Sequence, residues 1–404
     1  MSTSLLYHSF GIQGPYHYVS TQYENGATIF NIAHNPRMKC PECKSRKVIK
    51  KGTQERQFLG VPIGTKKTVI RLLHQRIQCT ICHVIKSLPL KFIPRPKVRY
   101  TRAFERYVMS LSIEKMTISS IAKLCNVGWD CIKAIQKRAL KRRYQHPNYK
   151  NVTHIGIDEI YCGAKSGFMT VVIDMKTSAV IYTEKGKKAA SLDGFWKIKN
   201  RCKQAIVAVA TDMGQAYISS VKKHAPQASL VIDRFHVVKR FNERLSEFRR
   251  KIQNEMETQD EVQFLKNTRW LLLSNPDKLS EKGKNKLMQA LDANQPLATV
   301  YYFKEKLRML WSQPSKEQGE IWLDDWVQQA NDSGIALLES FAKTLIKHKQ
   351  GILAYYDEKM TSGKVEGVNN RTKTLSKIAY GYRDWEFFEL KIKASHEGRY
   401  AFSG

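Results

Sequence analysis

Residues 153–159 read Thr-His-Ile-Gly-Ile-Asp-Glu, and this apolar run ending in acids decides the fold. Its length and its β-branched residues predict a buried strand. Further strands are predicted at 168–174, 179–185, 205–212 and 229–233, with a helical segment before each of the last two. The resulting order, β-β-β-α-β-α-β, predicts an α/β domain built on a five-stranded mixed sheet.

Three aspartates stand at the ends of these predicted strands: Asp158, Asp212 and Asp233. A charged group is costly inside a buried strand, so acids collected at strand ends indicate a functional site. Glu159 should point to the opposite face from Asp158, because side chains alternate along a strand. A five-stranded mixed sheet with this order of elements is the ribonuclease-H-like fold.

A further acid lies on a predicted helix near the C-terminus. Four residues there are spaced at i, i+3, i+4 and i+7: Glu366, Asn369, Asn370 and Lys373. This spacing places them on one helix face. Carboxylate oxygens are the ligands that Mg²⁺ prefers, and carboxylates gathered without a cation raise each other's pKa. The acids therefore predict a site for two Mg²⁺ ions, or Mn²⁺, which would activate an attacking oxygen and stabilise a leaving one.

The charge of the chain is strongly positive and unevenly distributed. Lys and Arg number 68 and Asp and Glu 36, for a net charge of +32. The first 150 residues hold 28 basic and 6 acidic residues, and the remainder holds 40 and 30. A field of this sign attracts polyanions and releases their counterions on binding. Its segregation favours nucleic acid as the partner over a merely solubilising surface.

The 404 residues are enough for several domains. The sequence has no run of 18 or more apolar residues that would predict a membrane span, and we see no signal peptide. We therefore expect a cytoplasmic protein with no membrane partner, whose thiols remain reduced. Apolar residues recur three or four apart over about 240–350, which predicts a helical segment.

Two Cys-x₂-Cys pairs lie in an otherwise irregular N-terminal region, residues 1–92. Four thiolates suit tetrahedral Zn²⁺, and each short spacer presents two sulfurs to one ion. The ligands of this structural Zn²⁺ would be Cys40, Cys43, Cys79 and Cys82. The segment between the pairs can form a small sheet, so a zinc ribbon is predicted at about 37–90. Buried or redox-active thiols are the alternative, and His74 or His83 can replace one ligand.

A helix-turn-helix is predicted within residues 100–148, after a proline-rich linker at 91–100. Residues 126–128 (Asn-Val-Gly) supply the turn, with glycine where a positive φ is expected. The second helix would enter the major groove of DNA. Its candidate DNA-binding residues are Trp129, Lys133, Lys137, Arg138, Lys141, Arg142 and Arg143. An ordinary helical hairpin is the alternative.

Four motifs, together with the predicted zinc ribbon and helix-turn-helix, carry a family resemblance. They are IGIDEI (155–160), ATDMGQAY (210–217), VIDRFHVVKRFN (231–242) and KVEGVNNRTKTLSKIAYGYRD (364–384). Over nearly its whole length the chain resembles bacterial insertion-sequence transposases of the ISL-three type. The resemblance implies a ribonuclease-H-like DDE catalytic domain at 151–404, interrupted by an all-α insertion at about 240–350.

The resemblance also implies roles for individual residues. The catalytic Mg²⁺ ligands, in order, would be Asp158, Asp212 and Glu366. Lys373 matches the basic residue that follows the glutamate by seven positions in many such enzymes. The wide separation between Asp212 and Glu366 leaves Asp233 as an alternative second acid. Asp233 and His236 would otherwise orient the site or its DNA.

Transposition is the activity that the resemblance implies. The N-terminal domains would bind the inverted repeats at the ends of the element. The catalytic domain would cut strands with Mg²⁺ and join the 3′-hydroxyl to target DNA. Holding two ends together implies a homo-oligomer, and acting on bacterial DNA implies association with the nucleoid. Two alternatives remain: a ribonuclease-H-like nuclease or resolvase, and a DNA-binding regulator that has lost catalysis.

Overall fold

The structure, a computed structural model, describes residues 3–114, 116–164, 166–256, 259–360 and 363–395. The chain divides into two compact units. The first contains Met1–His146 and Ile378–Gly404, and the second contains Pro147–Lys377. No helix within the described ranges is long and apolar enough to span a membrane.

The strands of the described residues are, in chain order, β1 (Tyr16–Glu24), β2 (Ala27–His34), β3 (Val48–Ile63), β4 (Lys66–Cys79), β5 (Ile85–Ser87), β6 (His154–Tyr161), β7 (Phe168–Asp174), β8 (Ala179–Lys185), β9 (Ala208–Thr211) and β10 (Ser229–Ile232). The α-helices are α1 (Thr3–Phe10), α2 (Arg102–Ile113), α3 (Ile118–Cys125), α4 (Trp129–Tyr144), α5 (Asp193–Lys199), α6 (Gln215–His224), α7 (Arg234–Asn254), α8 (Gln259–Asn267), α9 (Arg269–Leu273), α10 (Glu281–Asp292), α11 (Gln295–Arg308), α12 (Lys316–Asp332), α13 (Ala336–Leu353), α14 (Tyr355–Glu358), α15 (Gly363–Ile378) and α16 (Trp385–Lys393).

The sheet of the second unit has the order β10-β9-β6-β7-β8. β6, β7 and β8 are antiparallel neighbours, whereas β9 and β10 run parallel to β6. β7 and β9 are buried along almost their whole length, which is why their sequences are continuous apolar runs. The predicted five-stranded mixed sheet and its ribonuclease-H-like order are confirmed.

A helical segment, α7 to α14, separates β10 from α15. Its core contains Phe241, Trp326 and Phe341, whose rings meet edge to face with centroids 4.9–6.0 Å apart. Such aromatic pairs add stability beyond the burial of their area. The predicted all-α insertion is therefore confirmed, and it lies between the strands that carry the aspartates and the helix that carries Glu366.

The first unit is built on a second sheet, of order β1-β2-β4-β3, with β5 beside β4. β3 and β4 form an antiparallel hairpin, which is the small sheet predicted between the cysteine pairs. The prediction that residues 1–92 are otherwise irregular is wrong, because α1 and the β1–β2 hairpin precede the first cysteine pair. β1 escapes prediction because most of its side chains are exposed or only partly buried, so no apolar alternation marks it.

The helices α2, α3 and α4 form the predicted helix-turn-helix. Thr117 caps α3, because its hydroxyl accepts the Ser120 N–H at 3.0 Å. α3 ends at Cys125, and its C-cap residue, Asn126, adopts a left-handed φ of 48°. The turn therefore relies on asparagine, and not on the following glycine, for its positive φ.

The two ends of the helix-turn-helix region differ from the sequence-based division. The segment 91–100 is not a free linker, because Phe92 and Ile93 are buried in the core of the first unit. At the other end, α16 packs against α4, with Phe387 buried beside Leu140. The structure thus groups the C-terminal helix with the helix-turn-helix, whereas the sequence-based division ended the catalytic domain at residue 404.

Candidate functional site

The strand register brings the three predicted aspartates into one row. Gly156 of β6 lies opposite Ala210 of β9 in a parallel ladder, so two further residues along each strand lead to Asp158 and Asp212. The ladder between β9 and β10 continues the row to Asp233. Neighbouring strands lie about 4.8 Å apart. Acids from distant parts of the chain therefore meet on three adjacent strands.

Asp158 is buried, and it lies within β6, before the end of the strand. Asn369 of α15 donates from Nδ2 to Asp158 Oδ2 at 2.6 Å. The Glu159 N–H donates to Asp158 Oδ1 at 2.8 Å. Burial raises the pKa of Asp158 and the charge of Asp212 adds to the rise, whereas His236 and the two hydrogen bonds oppose it. A bound cation would stabilise this carboxylate in its charged form.

Helix α15 reaches Asp158 because it lies along β6. A Cβ added to Gly156 would lie only 2.7 Å from Val365 Cγ2, so helix and strand approach closely at this point. A second contact joins Asn369, four residues after Val365 on the helix, to Asp158, two residues after Gly156 on the strand. These steps correspond to rises of about 6 Å in a helix and about 6.6 Å in a strand. Helix and strand therefore run side by side in the same direction.

Glu366 lies on this helix, one turn before Asn369. The predicted shared face divides in the structure: Glu366, Asn370 and Lys373 are exposed, whereas Asn369 is buried against Asp158. Among the residues that the structure describes, no three His, Asp or Glu side chains bring ligand atoms within 4.8 Å of one another. Glu366 therefore lies one helical turn from the contact between Asn369 and Asp158. The three carboxylates do not form a closed cluster.

Asp212 and Asp233 have different local environments. Asp212 is partly exposed, and its Oδ1 accepts the Gly214 N–H at 2.9 Å. Asp233 is 3% exposed and caps α7, because its Oδ1 accepts the Phe235 N–H at 3.1 Å. Asp233 Oδ2 has no hydrogen-bond partner in the described structure and lies 3.6 Å from His236 Nε2. Helix capping accounts for Asp233, and Asp212 is the more accessible acid.

His236 lies between two of the aspartates. Its Nε2 is 3.6 Å from Asp233 Oδ2 and 4.0 Å from Asp158 Oδ2. The side chain is 22% exposed, so it borders the site from the side of α7. An orienting role for His236 stays a prediction.

Glu159 points away from Asp158, as predicted. Its cross-strand neighbour Thr170 contacts the Tyr217 hydroxyl of α6 at 2.9 Å, so Glu159 is on the α6 side of the sheet. Burial, followed by the charges of Asp212 and Asp158, raises the pKa of Glu159. The carboxylates of both faces therefore influence one another near the ends of the strands.

The four predicted zinc ligands converge in the first unit. Cys40, Cys43, Cys79 and Cys82 place their sulfurs within 4.8 Å of one another. Cys40 Sγ is 3.6 Å from Cys82 Sγ, and Cys43 Sγ is 3.5 Å from Cys79 Sγ. A tetrahedral ion with bonds of about 2.3 Å requires sulfur separations of about 3.8 Å, so the cluster fits Zn²⁺.

Local hydrogen bonding favours the thiolate form of Cys79. Backbone N–H groups, that of Cys82 first, lower the pKa of Cys79 to about 6. His74 is not a ligand, because its Nε2 contacts the Leu88 carbonyl oxygen at 2.5 Å. His83 does not belong to the cluster either.

The predicted DNA-binding residues of α4 fall into two groups. Lys133 and Lys137 place Nζ 3.0 and 2.9 Å from Asp384 Oδ2 of α16. Lys137 and Lys141 lie 2.8 and 2.5 Å from the carboxylate of Glu386. These lysines are half-buried between the two helices. The exposed group consists of Trp129, Arg138, Arg142 and Arg143.

The sequence did not predict the hydrogen-bond partner of Asp158 or the ion-pair partners of the lysines on α4. Asn369 belongs to the predicted helix face with Glu366, and its amide group marked it as a possible hydrogen-bond donor to the site. Only the register of α15 against β6 shows that it binds Asp158. Asp384 pairs with a lysine 247 residues away, and no local pattern reports a contact of that range.

Comparison with known families gives three matches along the chain. A family model described as a transposase of the ISL3 type matches residues 155–392. The helix-turn-helix domain of transposase family ISL3 matches residues 95–140. The zinc finger of the IS204/IS1001/IS1096/IS1165 transposases matches residues 36–82. The matched zinc finger and the cysteine cluster together support a structural zinc ion.

Individual proteins are also similar to the chain. The transposase for insertion sequence element IS1001 of Bordetella parapertussis is 31% identical over 89% of both chains. The transposase for IS1557 of Mycobacterium tuberculosis is 25% identical over 82% of this chain and 80% of its own. Among solved structures, the Drosophila P element transposase strand transfer complex covers 76% of this chain and 94% of its own at 11% identity, with a TM-score of 0.37.

Removal of one cysteine tests the zinc site. We expect Cys79→Ser to reduce bound zinc from one ion per chain to well below one, because three sulfurs no longer enclose the ion. Cys202→Ser is the control, since Cys202 lies outside the cluster. Zinc would be measured by elemental analysis of the purified protein. Full zinc content in Cys79→Ser would contradict the assignment.

Replacement of Asp384 tests the pairing between α4 and α16. Burial opposes ionisation of Asp384, but the hydrogen bonds from Lys137 and Lys133 lower its pKa to about 2. A carboxylate whose folded pKa lies below its unfolded value, about 3.9, stabilises the protein above pH 4, and this stabilisation is lost between about pH 4 and pH 2. We expect Asp384→Asn to reduce the free energy of unfolding at pH 7 by about 1 kcal/mol.

Asp384 also caps α16 through the Phe387 N–H at 3.1 Å. Asparagine preserves this cap, so Asp384→Asn removes only the charge, and Asp384→Ala should destabilise more. Calorimetry at several pH values measures both variants. If Asp384→Asn has the same free energy of unfolding as the unaltered protein at pH 7, the ion pairs contribute nothing to stability. The same conclusion follows if the difference in free energy does not shrink towards pH 2.

Proposed function

The chain belongs to the ISL3 family of insertion-sequence transposases, and we propose that it cuts and joins DNA with two Mg²⁺ ions held by Asp158, Asp212 and Glu366. The placement of α15 along β6 carries this proposal. It brings the helix that bears Glu366 to a row of aspartates, although the all-α insertion separates them in the sequence. Carboxylate oxygens are the donors that Mg²⁺ requires.

Mg²⁺ held by these acids would activate the attacking oxygen and stabilise the leaving one. Asp158 is buried and fixed by Asn369, so its carboxylate is oriented before DNA binds. Glu366 is exposed on α15 and can approach a phosphodiester. Lys373, two turns further on the same helix, can bind a neighbouring phosphate. Water and a DNA 3′-hydroxyl can attack in the same orientation, so one site can serve both cleavage and strand transfer.

Accessibility supports Asp212 over Asp233 as the second acid. Asp233 is almost fully buried and holds the first turn of α7, whereas Asp212 is partly exposed. Asp233 and His236 would then orient Asp158 from the side of α7.

The zinc ribbon and helix-turn-helix would bind the inverted repeats at the element ends. Trp129 and Arg142 are exposed on α4 and available for DNA contact, whereas Arg138 is exposed but also donates to the Tyr100 hydroxyl at 2.9 Å. We propose a homo-oligomer, because two ends must be held together during joining. The substrate, chromosomal DNA, would place the protein in the cytoplasm with the nucleoid.

Isosteric replacement of each acid tests the catalytic assignment. Asp158→Asn, Asp212→Asn and Glu366→Gln should each reduce cleavage by about a hundredfold or more, because each removes an electrostatic contact at the reacting phosphate. Affinity for DNA should change little, since other surfaces bind it. The assay uses purified full-length protein, duplexes from the DNA that flanks the gene, and Mg²⁺, with gels that resolve cleaved and joined products.

Asp233→Asn is the matched control, because asparagine preserves the cap of α7. Loss of cleavage in Asp233→Asn with activity retained in Asp212→Asn would reverse the assignment of the second acid. Cleavage without joining would identify a nuclease. Binding without either activity in the unaltered protein would identify a regulator.

A further inference from the structure

We propose that the lysine-rich loop after β8, residues 185–188 (Lys-Gly-Lys-Lys), binds the phosphodiester backbone of DNA beside the acidic site. The inference rests on the proposed function, because it assigns a path to the DNA that the acids would cut.

The topology places the loop at the same end of the sheet as the acids. β8 is antiparallel to β7, and β7 is antiparallel to β6, so β8 runs in the direction of β6. The loop follows the C-terminal end of β8, as Asp212 and Asp233 follow the C-terminal ends of β9 and β10. A strand of DNA lying across this end of the sheet can therefore contact both the loop and the acids.

The loop borders an open cleft of about 510 Å³. Its lining includes Phe168, Lys185, Lys187, Lys188 and Ser191. Lys187 Nζ lies 4.0 Å from the centroid of the Phe168 ring. Phe168 in turn meets the exposed ring of Tyr161 at a centroid distance of 5.2 Å. Cations beside aromatic rings are the combination that holds backbone phosphates and stacks bases in single-strand binding proteins.

The loop backbone is held in place. Gly186 adopts a φ of 98°, which favours glycine. Its N–H donates to the Phe168 carbonyl oxygen at 2.7 Å, and its own carbonyl accepts from the Thr170 hydroxyl at 2.8 Å. The Ser191 hydroxyl donates to the Lys185 carbonyl oxygen at 3.2 Å. The cations are thus presented on a fixed backbone, which limits the entropy lost on binding.

The charges around the cleft favour an anion. Glu184 is the acid in its lining, and its oxygens are already used by the Tyr182 hydroxyl at 3.3 Å and the Lys185 N–H at 3.0 Å. The three lysines in the lining, Lys185, Lys187 and Lys188, therefore outnumber the single acid and leave the cleft positively charged.

The salt dependence of DNA binding tests the loop directly. Each phosphate contact contributes about 0.9 to the slope of log affinity against log salt for duplex DNA, and about 0.7 for a single strand. In the Lys187→Ala/Lys188→Ala double variant we expect the slope to fall by about 1.8 on a 20-base-pair duplex or about 1.4 on dT20. The full-length protein is used, with Asp212→Asn as the common background so that neither probe is cut.

Lys197→Ala/Lys203→Ala is the matched control. These lysines are exposed, belong to the same unit and lie before β9, towards the end of the sheet that is remote from the acids. The control removes the same charge, so its slope should stay at the parent value. A fall confined to dT20 would assign the loop to single-stranded DNA, and a fall on the duplex would assign it to double-stranded DNA.

Equal slopes for the loop variant and its parent, or equal falls in the loop and control variants, would overturn the inference. The proposed function is tested separately by cleavage in the protein with native lysines. Cleavage by Asp212→Asn would refute the acid assignment whatever the slopes show. Loss of cleavage in Asp212→Asn with unchanged slopes would refute the loop alone.

Discussion

The close contact between Gly156 and Val365 is the constraint on which the catalytic unit depends. Any side chain at Gly156 would collide with Val365 and Met175, so only glycine lets α15 lie directly on β6. That approach sets the register in which Asn369 meets Asp158 at 2.6 Å. A helix beyond the all-α insertion is thereby fixed against the first strand of the sheet.

The sequence predicts the elements of each unit better than the contacts within it. The apolar runs at 168–174 and 205–212 predict strands because both sheet faces are covered, and the spacing of Cys40, Cys43, Cys79 and Cys82 predicts a shared ion because short spacers impose their own geometry. β1 was missed because partial exposure removes its apolar period. The bond between Asn369 and Asp158 depends on packing between distant segments, which periodicity does not record.

Basic residues of the first unit either form ion pairs or remain exposed, and the sequence alone does not distinguish the two groups. Lys133, Lys137 and Lys141 form a stripe that a sequence-based interpretation assigns to DNA, yet each lies against Asp384 or Glu386. The exposed residues of α4 lie outside this stripe. The net charge of +32 establishes an excess of cations, but individual lysines must be located in the structure before they are assigned to a phosphate.

Diffraction from crystals grown with Mn²⁺ tests most directly whether α15 completes a metal site, because anomalous scattering locates the ions independently of activity. The account predicts manganese bound by oxygens of Asp158 and Asp212, with Glu366 as a further ligand after a small movement of its exposed side chain. Manganese absent from this end of the sheet, or bound there with Glu366 turned to solvent, would contradict it.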